Sequence, residues 1–159
     1  MKKLLALTLV LLLIGVGTIV YYGQTGVEME ESHAGTPSFW SLSPEARLMA
    51  RVVYSEARGE PFLGQVSVAA VIMNRVESDD FPNTISGVIY QPWAFTPVMH
   101  GLIWNVTPGP EAVRATVNAY NGWDPTYGSE YFYNPDKITS YWVTTRETVR
   151  RIGKHVFAR

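Results

Sequence analysis

One glutamate occupies a position whose surroundings favour acid–base chemistry. Met49, Val52 and Val53 form an apolar stripe at helical spacing, and Glu56 is the next member of that stripe. A carboxylate that is buried among apolar side chains is costly as an anion, so its pKa should rise. A carboxyl group with a raised pKa can donate a proton near neutral pH, as a general acid must. The pattern therefore makes Glu56 the first candidate for a catalytic residue.

A structural role for Glu56 is also compatible with the pattern. The side chain could form an ion pair with Arg51 or Arg58, or turn outward near the end of its helix, since structural pairs also perturb carboxylates. Glu60, which follows Gly59, is the second candidate for carboxylate chemistry. Most of the other carboxylates fall where solvated charges are expected. The residues alone leave both roles of Glu56 open.

Other kinds of catalytic site find little support in the sequence. Cysteine is absent, which removes disulfides, thiol nucleophiles and cysteine–zinc sites. His100 and His155 are the histidines after residue 38, and there is no His-Glu-x-x-His motif, Gly-x-Ser-x-Gly motif or Gly-rich phosphate loop. The formal net charge of −1 does not indicate a nucleic-acid partner. We therefore expect carboxylate chemistry without a metal or a cofactor.

Two consecutive helices should position Glu56. The first begins after Ser43, a good N-cap, with Pro44 at its first position, and Gly59 and Pro61 end it just past Glu56. The second should run over residues 62–78 and is apolar nearly all round, which is typical of a buried central helix. Its β-branched content leaves a strand possible, although the run is long for one.

Shorter elements follow these two helices. They are a short helix capped by Thr84, an aromatic-rich loop over 91–96, a helix that opens at 108–111 and ends at Gly122, a short strand at 131–135, and a hairpin of 148–152 with 155–157 about Gly153 and Lys154. Residues 97–107 have no clear period. Helices come first and short strands near the end, so the predicted fold class is α+β: mainly helical, with a small C-terminal antiparallel β element.

The N-terminal residues predict export or anchoring. Lys2 and Lys3 precede an apolar run over 4–20, which is close to the minimum length that crosses a bilayer. No Ala-x-Ala-like cleavage site follows, which favours an uncleaved anchor over a cleaved signal peptide. We expect a signal anchor or signal peptide at 1–22, a flexible linker at 23–38 and a catalytic domain at 39–159, outside the cytoplasm.

The domain resembles a known family along most of its length. The sequence SEARGEP at 55–61 is similar to a motif of the SleB/CwlJ-type cell wall hydrolases, the spore cortex-lytic enzyme family. Further matches in order are 64–66, 69–71, 74–75, 81–84, 87–92, 94–96, 121–125, 131–135 and 152–157. Trp93 stands where a small residue is expected, and residues 98–107 fit less clearly.

The resemblance implies a lysozyme-like fold and cleavage of peptidoglycan glycan strands. It implies a lytic transglycosylase that cuts between N-acetylmuramic acid and N-acetylglucosamine with one glutamate, here Glu56, and forms 1,6-anhydromuramic acid. Spore cortex and vegetative wall both remain open as the target, as does an accessory protein. An N-acetylmuramoyl-L-alanine amidase and a non-catalytic peptidoglycan-binding domain are the alternatives, although few histidines are available for an amidase.

Aromatic and amide side chains are the candidates for the sugar-binding groove. Aromatic rings can stack on sugar faces and amides can bind hydroxyls, which points to Tyr131, Tyr133, Asn134, Gln91 and Phe95. The alternative is that Phe95 belongs to the core and that Gln91 satisfies backbone groups of its loop. His155 is expected to be a hairpin residue whose ring is satisfied by a neighbour.

Overall fold

The computed structural model describes residues 35–138 and 140–159. The predicted signal or anchor segment at 1–22 and most of the predicted linker lie outside these residues. Within the described part of the chain, no helix combines the length and apolar character needed to span a membrane. Residues 36–159 form a compact unit of their own.

Helix α1, Pro44–Ala57, carries Glu56 in its last turn. Ser43 caps it by accepting a hydrogen bond from the backbone N–H of Ala46 at 3.2 Å. The apolar stripe of Met49, Val52 and Val53 is fully buried, as the periodicity predicts. Helix α1 ends because Arg58 leaves the helical conformation and Gly59 adopts a positive φ of 86°.

Helix α2, Phe62–Glu77, is the centre of the domain. Residues 64–72 are all buried, including Gln65 and Ser67, because helices and sheet surround them. It packs against α1, and against helix α5, Pro110–Tyr120. The nearly continuous apolar sequence therefore marks a buried helix, which removes the alternative of a strand.

Short elements lie between α2 and α5 in the sequence. Helix α3, Ile85–Ile89, has the predicted cap, since Thr84 Oγ1 accepts a hydrogen bond from Gly87 N–H at 3.0 Å. Helix α4, Thr96–Met99, and a 3₁₀ turn, Leu102–Asn105, occupy the region where the sequence shows no period. Elements of one turn are too short to produce a readable hydrophobic period.

A three-stranded antiparallel sheet completes the domain. Strands β1, Tyr131–Tyr133, and β2, Thr148–Ile152, pair with opposite edges of the central strand β3, His155–Ala158. The predicted C-terminal antiparallel element is confirmed. All of β3 is buried, and Phe157 packs with Ile152 against α2 and the end of α1. The sheet therefore stands beside the last turn of α1, where Glu56 lies.

Candidate active site

A groove of about 880 Å³ runs past the C-terminal end of α1. This volume is at the upper end of the range for small-molecule sites. Its walls come from five parts of the chain: the end of α1 with the residues after it, the end of α2 with the residues after it, the loop 91–96, strand β1 with the segment after it, and the turn between β2 and β3 with the start of β3. These parts are far apart in the sequence, so the groove exists only in the folded domain.

Glu56 lies in the groove with its carboxyl largely desolvated. Burial raises the pKa of this carboxyl from 4.5 to about 7. The predicted alternative partners are engaged elsewhere: Arg51 donates hydrogen bonds to the carbonyl oxygens of Ile103 and Val106, and the exposed Arg58 lies over the Tyr54 ring. Among the described residues, none forms a hydrogen bond or an ion pair with Glu56. The carboxyl can therefore hold a proton at neutral pH.

Glu60 also lines the groove, but its carboxylate is held by the backbone of the hairpin turn. Its Oε2 accepts a hydrogen bond from Lys154 N–H at 2.9 Å. Gly153, with a φ of 57°, lies so close that a Cβ there would clash with the same carboxylate oxygen. Gln65 adds a hydrogen bond from Nε2 to the carbonyl oxygen of Glu60 at 3.2 Å. Glu60 therefore connects the loop after α1 to the sheet.

The structure brings four of the five predicted sugar-binding residues to the groove: Gln91, Tyr131, Tyr133 and Asn134. Asn134 uses its Oδ1 to accept a hydrogen bond from Asp136 N–H at 2.9 Å, which fixes the side chain at the end of β1.

Phe95 departs from the predicted groove set. It is 2% exposed, belongs to the main core and packs against the Phe132 ring at 6.4 Å between centroids. The extended backbone at Phe95 explains this, because successive side chains point to opposite sides: Ala94 lines the groove and Phe95 turns inward.

Arg75 is a buried cation in the groove wall. Its guanidinium lies over the rings of Phe81 and Tyr131, at 5.2 and 5.8 Å from their centroids, and its Nε donates a hydrogen bond to Glu130 O at 2.7 Å. Burial lowers the pKa of this guanidinium, opposed by Tyr131 and Glu130. Asn74 and Arg75 are the first polar positions after the apolar run of α2. Arg75 stiffens the wall that carries Tyr131.

His155 differs from its expected role. The residue is 6% exposed and lines the groove, with its ring edge-on to Phe132 at 5.3 Å. The prediction that a neighbour satisfies the ring is wrong for Nδ1, which has no hydrogen-bond partner among the described residues. Burial lowers the pKa of His155, partly offset by the nearby Glu60 carboxylate. The neutral imidazole packs edge-on against the rings of Phe132 and Phe157.

Sequence reasoning missed several groove residues. Trp93 and Trp142 line it with large exposed rings, and Lys137 and Lys154 contribute cationic side chains. Trp142 and Lys137 lie on single 3₁₀ turns, Tyr141–Thr145 and Pro135–Lys137, which have no recognisable pattern. The one available signal was Trp93 itself, as a departure from the small residue expected there.

A groove with aromatic side chains in its walls and a protonatable glutamate at a helix end is similar to the sites that glycoside-cleaving enzymes use. The model of the Cell Wall Hydrolase family matches residues 59–158 of this chain. The chain belongs to the cell wall hydrolase family, as the resemblance in its motifs predicts. The matched region begins just after Glu56.

Individual relatives agree with the family match. A spore cortex-lytic enzyme of Bacillus cereus is 48% identical over 149 residues, which cover 90% of this chain and 57% of the relative. The cell wall hydrolase CwlJ of Bacillus subtilis is 31% identical over 74% of this chain and 86% of its own length. The chain thus spans little more than half of the spore cortex-lytic relative.

Solved structures of the same family superpose on the domain. The catalytic domain of a germination-specific lytic transglycosylase, SleB from Bacillus anthracis, has a TM-score of 0.70 and 52% identity, over 75% of this chain and 98% of that domain. The catalytic domain of the Bacillus cereus SleB protein has a TM-score of 0.67 and 55% identity, over 72% of this chain and 89% of that one. The helical fold with its small sheet is therefore the fold of this catalytic domain.

Proposed function

We propose that this protein cleaves peptidoglycan glycan strands between N-acetylmuramic acid and N-acetylglucosamine, as a lytic transglycosylase in which Glu56 is both acid and base. The observation that carries the proposal is the Glu56 carboxyl, which lies in the groove, is desolvated and is unpaired among the described residues, so that burial raises its pKa to about 7. Membership of the cell wall hydrolase family and the similarity to the germination-specific lytic transglycosylase of Bacillus anthracis support the substrate class.

The reaction needs two proton transfers at one carboxyl group. Protonated Glu56 donates its proton to the glycosidic oxygen while the bond from that oxygen to C1 of N-acetylmuramic acid breaks through an oxocarbenium-like transition state. The resulting Glu56 carboxylate removes the proton from the 6-hydroxyl of the same sugar, and that oxygen bonds to C1. The products are a new chain end and a 1,6-anhydro ring, and no water is consumed.

The arrangement of acidic groups favours this route over hydrolysis. Retaining and inverting glycosidases use a second carboxylate at a set separation from the acid. Within the described part of the groove, the other acidic side chain is Glu60, whose carboxylate accepts the Lys154 N–H. Since Glu60 is tied to the hairpin turn, we assign the chemistry to Glu56 alone. The helix-end glutamate beside a small sheet also supports the lysozyme-like arrangement that the motifs imply.

The groove walls would bind the glycan, with Tyr131, Tyr133, Asn134 and Gln91 as sugar-binding residues. We place the site of action outside the cytoplasm, at the cell wall or spore envelope, with residues 1–22 as the export or anchoring segment. The spore cortex-lytic relatives support cortex peptidoglycan as a substrate.

Fragment analysis tests the proposal. The full chain and its Glu56→Gln variant are incubated with purified cortex and vegetative peptidoglycan, and released fragments are identified by mass spectrometry. We expect anhydro-muropeptides from the wild type and none from Glu56→Gln. Muropeptides with reducing ends would indicate hydrolysis, new alanine amino termini would indicate an amidase, and no release would indicate a binding domain. Each of these three results would overturn the proposal.

A further inference from the structure

Trp93 has a backbone conformation that disfavours its own side chain. It is the third residue of a four-residue turn in which Ala94 N–H donates to Gln91 O at 3.2 Å and Pro92 is the second residue. The φ of Trp93 is 66°. Proline at the second position and positive φ at the third are the pattern of a type II turn, in which glycine or asparagine is preferred at the third position. A bulky residue there strains the backbone.

The Trp93 side chain does not belong to the packed core of the domain. It is 83% exposed, the most exposed of the five tryptophans of the chain. Each of the other tryptophans contacts a partner: Trp40 packs on Phe39, Trp104 lies under Arg51, Trp123 packs on Phe62 and Trp142 lies under Arg146. Among the described residues, no ring and no cation stacks on Trp93. Most of the indole surface is therefore open to solvent.

The strained turn places the Trp93 side chain at the groove. Its side chain lines the same groove as Glu56. The turn is anchored on its far side by Phe95, which is 2% exposed in the core. Pro92 restricts the turn from the near side. The indole is thus presented at the groove rim on a turn with little freedom, which lowers the entropy lost when a ligand packs on it.

We propose that Trp93 is a substrate-binding residue whose indole stacks on the apolar face of an N-acetylhexosamine ring of the glycan strand. A residue that strains its turn and adds nothing to the core is expected to act on a ligand. An open aromatic face in a polar groove gains apolar burial when a pyranose ring covers it. This inference rests on the proposed function, since it takes the glycan as the occupant of the groove.

Removal of the Trp93 indole should raise the melting temperature of the protein and weaken its binding to the glycan. In the non-cleaving Glu56→Gln background of the full chain, affinity for glycan strands freed of stem peptides is measured by calorimetric titration, and melting temperature by scanning calorimetry. Trp93→Gly should raise the melting temperature by about 2–6 °C, because glycine relieves the turn. It should weaken glycan binding roughly 3–10-fold, because the stacking face is lost.

Two variants control this measurement. Tyr127→Gly removes another exposed aromatic residue at positive φ, 56°, and this residue is outside the groove. Its glycan affinity should equal that of the parent. Trp93→Phe keeps an aromatic face on the strained turn, so it should retain more affinity than Trp93→Gly and show no gain in melting temperature.

The outcomes separate this inference from the proposed function. If Glu56→Gln binds glycan and Trp93→Gly binds it equally well, the stacking role is wrong while glycan binding stands. A fall in the melting temperature of Trp93→Gly would also reject it, because the indole would then be a packing residue. Absence of glycan binding by the Glu56→Gln parent, together with absence of glycan cleavage by the wild type, would reject both.

Discussion

The carboxylate of Glu60 accepts a hydrogen bond from the backbone N–H of Lys154 at 2.9 Å, across 94 positions of the chain. This contact joins the loop that follows the proposed catalytic helix to the tip of the β2–β3 hairpin. Both partners line the groove, so the hydrogen bond holds two walls in register. Glu60 thus acts as a positioning residue beside Glu56.

Two substitutions of Glu60 should show whether this residue positions the groove walls or takes part in the reaction. Glu60→Gln keeps an oxygen that can accept from Lys154 N–H, so it should retain most of the glycan cleavage. Glu60→Ala should lower stability by about 0.5–1.5 kcal/mol, because this exposed hydrogen bond is lost, and should reduce activity by loosening the turn. Denaturant unfolding and fragment release provide the two measurements. A Glu60→Gln variant as inactive as Glu56→Gln would mean that Glu60 takes part in the chemistry.

A side chain at Gly153 should displace the Glu60 carboxylate, because a Cβ there would meet its Oε2. We expect Gly153→Ala to be less stable than Gly101→Ala by about 0.5–1.5 kcal/mol in denaturant unfolding, because the displaced carboxylate loses its hydrogen bond to Lys154 N–H. Gly101 is the matched control, since its φ of 66° is similar and its Cβ would meet open space. Both substitutions carry the cost of a side chain at positive φ, so the difference between their stabilities reports the clash at Gly153 alone.

A double substitution tests the cause of that difference. Glu60→Ala removes the clashing oxygen, so Gly153→Ala should cost less in that background, and the coupling should be evident in a double-mutant cycle. Independent, additive losses would show that the close approach of Gly153 to Glu60 is unimportant for stability.

Stability should fall as Glu56 ionises. Its folded pKa, about 7, is above its ordinary value of 4.5, so the folded state binds more protons between these values. The penalty is absent below pH 4.5, grows as pH rises through the window and is complete above pH 7, with an upper limit of about 3 kcal/mol. Glu56→Gln should lose this dependence and be more stable than the wild type at pH 8. If the free energy of unfolding changes equally with pH in the wild type and in Glu56→Gln, the Glu56 carboxyl is not desolvated in the folded state.

Cleavage should also decline as Glu56 ionises. The first step needs protonated Glu56, so kcat/KM should fall about tenfold per pH unit above about pH 7. Glu56→Gln should lose at least about 10²-fold of the rate, the usual contribution of a general acid. Rates of fragment release across pH 5–9 measure both. A rate that stays constant to pH 9 would exclude Glu56 as the acid.

Local sequence signals predicted the helices that carry the proposed chemistry. Ser43 and Pro44 marked the start of α1, Gly59 marked its end, and the stripe from Met49 placed Glu56 toward the interior. These signals suffice because caps and hydrophobic period act within a few residues of each other. The hairpin about Gly153 was predictable for the same reason.

Features that depend on distant contacts were not predictable from one sequence. The aromatic run before Pro135 could not reveal that β1 pairs with β3, because a strand of three residues has no readable alternation. Phe95 and Trp93 are both aromatic residues of one loop, yet the turn sends one into the core and the other to the groove rim. The backbone dihedral angles of that turn determine which of the two side chains points into the core.

Helix α2 is enclosed by other elements, which determines how the domain unfolds. Water can reach its central backbone only after α1, α5 and the sheet have separated from it, since it packs against each of them. Partial opening that moves one of these neighbours leaves the others covering residues 64–72. The amide hydrogens of these residues should therefore exchange with solvent only through global unfolding, and the domain should melt in one all-or-none transition.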